Sequence, residues 1–122
     1  MFQCHCELCR KQTGTSSSSG AVVEQRNFQW LSGEHSIGKW EKSTGFTSHF
    51  CNYCGSTVPN QFRGSDLYWI PVGLLDGKDI VTVANLFECE KADWSNINST
   101  VNSYQTKPEV ESLIPLLLRE NR

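Results

Sequence analysis

Five of the six cysteines in the chain lie in two short clusters. The first has the spacing C-x-C-x-x-C over 4–9, and the second has the spacing C-x-x-C-G over 51–55. Zn²⁺ favours thiolate ligands, and such tight spacing in a short chain is typical of metal binding. We therefore expect a zinc-binding domain whose ligands are drawn from Cys4, Cys6, Cys9, Cys51 and Cys54.

The first cluster can supply three ligands to one ion. Residues two apart on an extended strand share a face, so Cys4 and Cys6 can point at one centre while His5 points away. Cys9, three residues later, can complete a three-thiolate site. Three protein ligands leave a fourth position open, which is typical of a catalytic zinc rather than a structural one.

The second cluster predicts a zinc knuckle, in which the N–H groups of a tight turn point at the two sulfurs. Gly55 suits the exit of that turn because glycine tolerates a positive φ, and we expect Phe50 and Tyr53 to shield the site. The two clusters could instead form a single structural four-thiolate zinc with one spare thiol. Cys89 lies between two glutamates and is interpreted as a strand-end residue without a role.

Composition narrows the class of protein. A length of 122 residues suits one domain, taken here as 1–122. The formal net charge of −2 argues against the basic surface of a nucleic-acid-binding protein. No apolar run approaches the ~20 residues of a membrane helix, and no secretory signal precedes the first cluster. We expect a cytoplasmic location, where thiols stay reduced.

Most of the remaining sequence consists of short runs bounded by turn residues, which is typical of an all-β sandwich. A helix is expected only from Pro108, because two following glutamates complement its dipole. Pro115 should leave that helix short, kinked or broken. The predicted strands cover 20–24, 28–31, 36–42, 47–50, 57–62, 67–72 and 80–87.

The first cluster extends into the run C-H-C-E-L-C-R-K-Q-T-G over 4–14. This run resembles the C-H-C-x-x-C-R-K-x-x-G signature of the glutathione-dependent formaldehyde-activating enzymes, a family that includes centromere protein V. The resemblance continues in order through Phe28, L-S-G-E over 31–34, F-C-N-Y-C-G-S over 50–56, V-G-L-L-D over 72–76 and K-A-D-W over 91–94.

The resemblance implies a mainly β zinc fold of the β-tent type, built from short antiparallel strands. In the family, the C-x-C-x-x-C cysteines hold the catalytic zinc, so Cys4, Cys6 and Cys9 inherit that role. The C-x-x-C-G pair belongs to a structural zinc, so Cys51 and Cys54 inherit that one.

Three departures from the family pattern affect these roles. Family members have an upstream strand whose C-x-C pair completes the structural zinc, and the sequence has no such pair before Cys4. Either the sequence begins after that strand, or the structural zinc is lost, or Cys51 and Cys54 share thiols with the first cluster. The second departure is Thr47-Ser48-His49 before the F-C pair, where the family often has Arg or Gly. The third is Asn85-Leu86, where the family often has His-Ile.

The leading functional expectation is a zinc-dependent carbon–sulfur lyase acting on glutathione or a related thiol adduct, like the enzyme that forms S-(hydroxymethyl)glutathione. An open zinc position would lower the pKa of the incoming thiol. Arg10 and Lys11 are candidates to attract its carboxylates, and His49 is a candidate polar group near the substrate. The alternative is a non-catalytic binding module in which zinc only stabilises the fold.

Overall fold

The computed structural model describes residues 1–62, 64–97 and 102–118. Short strands dominate these residues, and two short helices accompany them. Neither helix is long and apolar enough to cross a membrane. The elements are β1 (Phe2–Cys4), α1 (Glu7–Thr13), β2 (Ser18–Glu24), β3 (Ile37–Glu41), β4 (Thr47–Cys51), β5 (Asn60–Gln61), β6 (Leu67–Pro71), β7 (Ala84–Leu86) and α2 (Val110–Leu117), with single 3-10 turns at Gln25–Asn27, Glu34–Ser36, Val72–Leu74 and Glu88–Glu90.

The strands form a five-stranded sheet and a separate two-stranded hairpin. The larger sheet has the order β5-β6-β2-β1-β7, and the hairpin pairs β3 with β4. All pairs are antiparallel except β1 with β7, in which Cys4 lies beside Leu86. The His5 N–H continues this parallel pairing by donating to the Leu86 carbonyl at 2.9 Å. The first cysteine cluster therefore lies at the end of a central strand.

The core lies on one face of the larger sheet, beneath α2. Alternation along β1 places Phe2 and Cys4 on this face, because side chains two apart on a strand point the same way. Leu113 and Leu117, four residues apart on α2, pack against them. Full burial of each leucine contributes about 1.5–3 kcal/mol. The other members of the buried cluster are Val22, Ala84 and Leu86.

The prediction of a mainly β chain with a short C-terminal helix is confirmed. The helix begins at Val110 rather than at Pro108, and Glu109 is its N-cap. It continues through Pro115 for eight residues in total. The strands predicted over 20–24, 36–42, 47–50 and 67–72 correspond to β2, β3, β4 and β6.

Three predicted strands are wrong or too long. The segment 28–31 is not a strand, because Phe28 stacks on Tyr68 at 4.4 Å between ring centroids and meets Trp30 edge to face at 5.1 Å. The sequence pattern predicted backbone pairing with another strand for this segment, whereas in the structure its aromatic side chains make the contacts. The segments 57–62 and 80–87 shorten to β5 and β7. Cys89 lies exposed in a 3-10 turn rather than at a strand end.

Candidate metal centre and adjoining cavity

A strand-to-helix turn brings the three thiols of the first cluster together. Cys4 ends β1, Cys6 is the N-cap of α1 with φ −66° and ψ 155°, and Cys9 lies in the first helical turn. The Cys9 N–H donates to Cys6 Sγ at 3.4 Å. The three sulfurs all lie within 4.8 Å of one another. The sequence predicted this convergence from strand alternation, whereas the structure achieves it by starting a helix at Cys6.

Local contacts explain why α1 forms over so few residues. Gly14 ends the helix in the left-handed conformation, at φ 68°, and its N–H donates to the Arg10 carbonyl at 2.8 Å. At the other end, the Glu7 N–H donates to the Glu90 carboxylate at 2.9 Å. Lys11 pairs with Glu7 at 2.7 Å across one helical turn. These end contacts hold Cys6 and Cys9 in place.

Hydrogen bonds among the three thiols shift their pKa values in opposite directions. The hydrogen bond from the Cys4 thiol, with a second from Cys9, lowers the pKa of Cys6 to about 2. The reciprocal hydrogen bond to Cys6 raises the pKa of Cys4 to about 11. The pKa of Cys9 is also raised, chiefly by its hydrogen bond to Cys4. These hydrogen bonds therefore favour the thiolate form at Cys6 over the other two thiols.

This donor set fits a zinc ion. Sulfurs bound at ~2.3 Å in a tetrahedron are ~3.8 Å apart, which lies within the 4.8 Å that bounds these three. A dication would replace the two remaining thiol protons and remove the like-charge repulsion among three thiolates. Cys4, Cys6 and Cys9 are therefore suited to hold Zn²⁺ with one coordination position open.

A buried hydrogen bond joins His5, the residue between the first two cysteines, to β7. His5 is 2 % exposed and Asn85 is fully buried, and His5 Nε2 lies 3.0 Å from Asn85 Oδ1. His5 Nδ1 and Asn85 Nδ2 find no partner among the described residues. His5 thus points to the opposite side of the strand from Cys4, as predicted, and it is buried there against Asn85. The sequence marked Asn85 only as a departure from the family pattern.

The second cluster has the knuckle geometry that the sequence predicts. Gly55 has φ 77°, and its N–H donates to the Cys51 carbonyl at 2.8 Å. The N–H groups of Cys54 and Tyr53 point at Cys51 Sγ and lower the pKa of that thiol. Tyr53 is 88 % exposed, so the prediction that it shields the site is wrong.

Cys51 and Cys54 do not join the first cluster. Among the described residues, the set of metal-binding side chains whose ligand atoms all lie within 4.8 Å contains the three thiols of the first cluster only. The arrangement in which the second pair shares those thiols is therefore absent from this structure.

A cavity of about 480 Å³ opens beside the three thiols. The size is within the usual range for small-molecule sites. All three cysteines of the first cluster line it, and Gln12 of α1 donates to Ser48 of β4 at 2.7 Å across its rim. Its aromatic wall consists of Phe2, Phe46, Phe62, Trp69 and Phe87.

Trp69 lies across the sheet face because residue 20 is glycine. A Cβ at Gly20 would overlap Trp69 Nε1 and would lie 2.9 Å from Trp69 Cδ1 and 3.0 Å from Phe2 Cζ. Such distances are too short for real Cβ atoms, so only glycine allows this close approach. The aromatic wall of the cavity therefore depends on Gly20.

The charged lining of the cavity differs from the prediction. Neither Arg10 nor Lys11 lines it, and Lys11 is paired with Glu7 on the exposed side of α1. Lys107 is the one Lys or Arg among the described lining residues, and no carboxylate lines the cavity there. His49 does line it, as predicted, and burial, followed by the charge of Lys39, lowers the pKa of its imidazole. No local motif around Lys107 signals this position in the sequence.

Fold and site together define a small, mainly β protein in which three cysteines that could hold a metal ion line a cavity. The sequence matches the model of the glutathione-dependent formaldehyde-activating enzyme family over residues 1–90, and the chain belongs to this family. The match includes both cysteine clusters and all seven strands of the described structure, and it ends before α2. No curated protein matches the chain significantly.

Proposed function

We propose that the protein is a zinc-dependent enzyme that joins glutathione, or a related thiol, to formaldehyde or a related carbonyl compound, and that also catalyses the reverse reaction. The observation that carries this proposal is that Cys4, Cys6 and Cys9 converge in the wall of a small-molecule cavity. The family match supports glutathione and formaldehyde as the reactants. In the direction of adduct breakdown the enzyme is a carbon–sulfur lyase.

In the proposed reaction, the thiol sulfur bonds to the carbonyl carbon, and the thiol proton ends on the carbonyl oxygen. Zn²⁺ held by Cys4, Cys6 and Cys9 would lower the pKa of the thiol and polarise the carbonyl group. No oxidant or reductant is needed, because the addition neither oxidises nor reduces the thiol and the carbonyl compound taken together.

The residues around the cavity have separate roles in this proposal. The aromatic wall excludes water, which strengthens the electrostatic interactions inside. Lys107 supplies a positive charge for a substrate carboxylate. The lowered pKa of His49 keeps its imidazole neutral near pH 7. Its Nδ1 is buried, so Nε2 is the ring nitrogen available to accept the thiol proton and return it to oxygen.

The second cluster has a structural role in the proposal. Cys51 and Cys54 would supply two ligands to a separate structural zinc, because the turn N–H groups stabilise the Cys51 thiolate. The whole chain, 1–122, would work as one domain. The proposed setting is the cytoplasm, where thiols remain reduced.

The test follows formation and breakdown of S-(hydroxymethyl)glutathione against the uncatalysed reaction, using folded protein of measured zinc content. We expect Cys9→Ala to lose most of the activity and the zinc bound by the first cluster, because three thiolates around one ion act as a unit. Cys89→Ala is the matched control, since Cys89 is exposed and belongs to neither cluster.

Two outcomes would contradict the proposal in different ways. If zinc-loaded protein gives no acceleration, this chain does not use glutathione and formaldehyde, and the alternative of a zinc-stabilised binding module is favoured. If Cys9→Ala keeps full activity and zinc content, the assignment of the three-thiolate site is wrong. Circular dichroism of each variant separates these outcomes from unfolding.

A further inference from the structure

The C-terminal segment builds one wall of the cavity, and it lies outside the residues that match the family model. Residues 102–106 run along the free side of β7. The Asn85 N–H donates to the Asn102 carbonyl at 2.9 Å, and the Tyr104 N–H donates to the Asn85 carbonyl at 2.9 Å. The Phe87 N–H donates to the Thr106 carbonyl at 3.2 Å. These hydrogen bonds fix the path that leads to Lys107 and α2.

The helix α2 then places aliphatic side chains beside the thiols. Leu113 is buried against the core that includes Cys4, and Ile114 lies partly exposed next to it. Both residues line the cavity, as does Lys107. The wall that this chain adds to the family-matched region therefore carries two aliphatic groups and one cation.

This lining is more apolar than a formaldehyde adduct requires. A hydroxymethyl group adds only one carbon and one oxygen atom to the thiol, and it offers almost no apolar surface to the aromatic wall of the cavity. The charged groups of glutathione gain nothing from an aromatic wall, because buried charges need partners. Lys107 offers one such partner near the wall that α2 forms.

We infer that the carbonyl substrate is larger and apolar, so that the cavity takes thiol adducts carrying an alkyl or aryl chain. The chain packs against Trp69, Phe46 and Ile114, and Lys107 pairs with a carboxylate of the thiol. This inference rests on the proposed function. The reaction is balanced as before: the S–C bond forms, the C=O π bond breaks, and the thiol proton moves to oxygen.

Binding of stable thioethers tests the inference without turnover. Zinc-loaded protein is titrated by calorimetry with S-methylglutathione and with S-hexylglutathione. We expect S-hexylglutathione to bind about tenfold tighter or more, because each buried methylene adds to the affinity. In Ile114→Ser this preference should fall by about threefold or more. Leu116→Ser is the matched control, since Leu116 lies on the same helix but does not line the cavity.

Two further variants make the test robust. Phe46→Ser removes a lining side chain outside the buried core cluster, so it keeps the test decisive if Ile114→Ser fails to fold. Lys107→Gln should weaken both ligands by a similar factor, because both carry the same carboxylates. Lys78→Gln is its control, since Lys78 is exposed and does not line the cavity.

The outcomes separate this inference from the proposed function. A preference for S-hexylglutathione that the lining variants reduce supports the inference. Equal affinity for the two thioethers overturns it and leaves the proposed function standing. If neither thioether binds to zinc-loaded protein, both the inference and the glutathione assignment fail.

Discussion

The His5–Asn85 pair gives a stability prediction whose size follows from the structure. Replacing Asn85 by leucine keeps the number and branching of the side-chain heavy atoms but removes the hydrogen bond to His5 Nε2. Since His5 is 2 % exposed, water cannot replace the lost partner. A buried polar group left without a partner costs about 1–3 kcal/mol. We expect Asn85→Leu to lower the free energy of unfolding by about this amount.

A double-mutant cycle identifies the cause of this loss. If the hydrogen bond is responsible, His5→Leu combined with Asn85→Leu should cost less than the sum of the single variants, because the double variant has no unpaired polar group. The expected coupling is about 1 kcal/mol or more. Absence of coupling would show that the hydrogen bond is not responsible for the loss.

Thermal unfolding at one fixed, saturating zinc concentration measures these differences, because bound metal adds to apparent stability. For a chain of this size, 1 kcal/mol corresponds to a change in Tm of about 4 °C. Asn85→Leu should therefore lower Tm by about 4–12 °C. The exposed Asn96→Leu is the control and should stay within about 0.5 kcal/mol of the parent protein. If Asn85→Leu is as stable as the parent, or the cycle shows no coupling, the reasoning about this pair is refuted.

Two further predictions concern the knuckle and the cavity wall. Cys51→Ser should lower the Tm of zinc-loaded protein by roughly 5 °C or more, because metal-binding energy is folding energy. After chelation, the variant and the parent protein should have the same Tm. Cys89→Ser is the control, and a parent Tm unaffected by chelator would contradict a structural zinc. Gly20→Ala should destabilise the protein by about 1–3 kcal/mol and alter Trp69 fluorescence, since its Cβ overlaps the indole. Gly73→Ala meets no atom within 4 Å and should be neutral, and equal effects of the two glycine variants would exclude the overlap.

Local chemistry made parts of the site predictable. Cys4, Cys6 and Cys9 are close in sequence, so their convergence needs only one turn of chain. The same holds for the knuckle at Gly55, whose positive φ follows from a turn that glycine tolerates. The helix α1 was missed because its seven residues bury no side chain and so show no apolar period.

The sequence by itself determined the chemistry of the site: which thiols can bind metal, which family the chain belongs to, and that short strands dominate. Only the tertiary structure decided what surrounds the thiols. The parallel pairing of β1 with β7 brings His5 to Asn85, eighty residues away. The path along β7 brings Lys107 and Ile114 to the cavity. Such contacts depend on how distant segments pack, and no spacing within one segment encodes them.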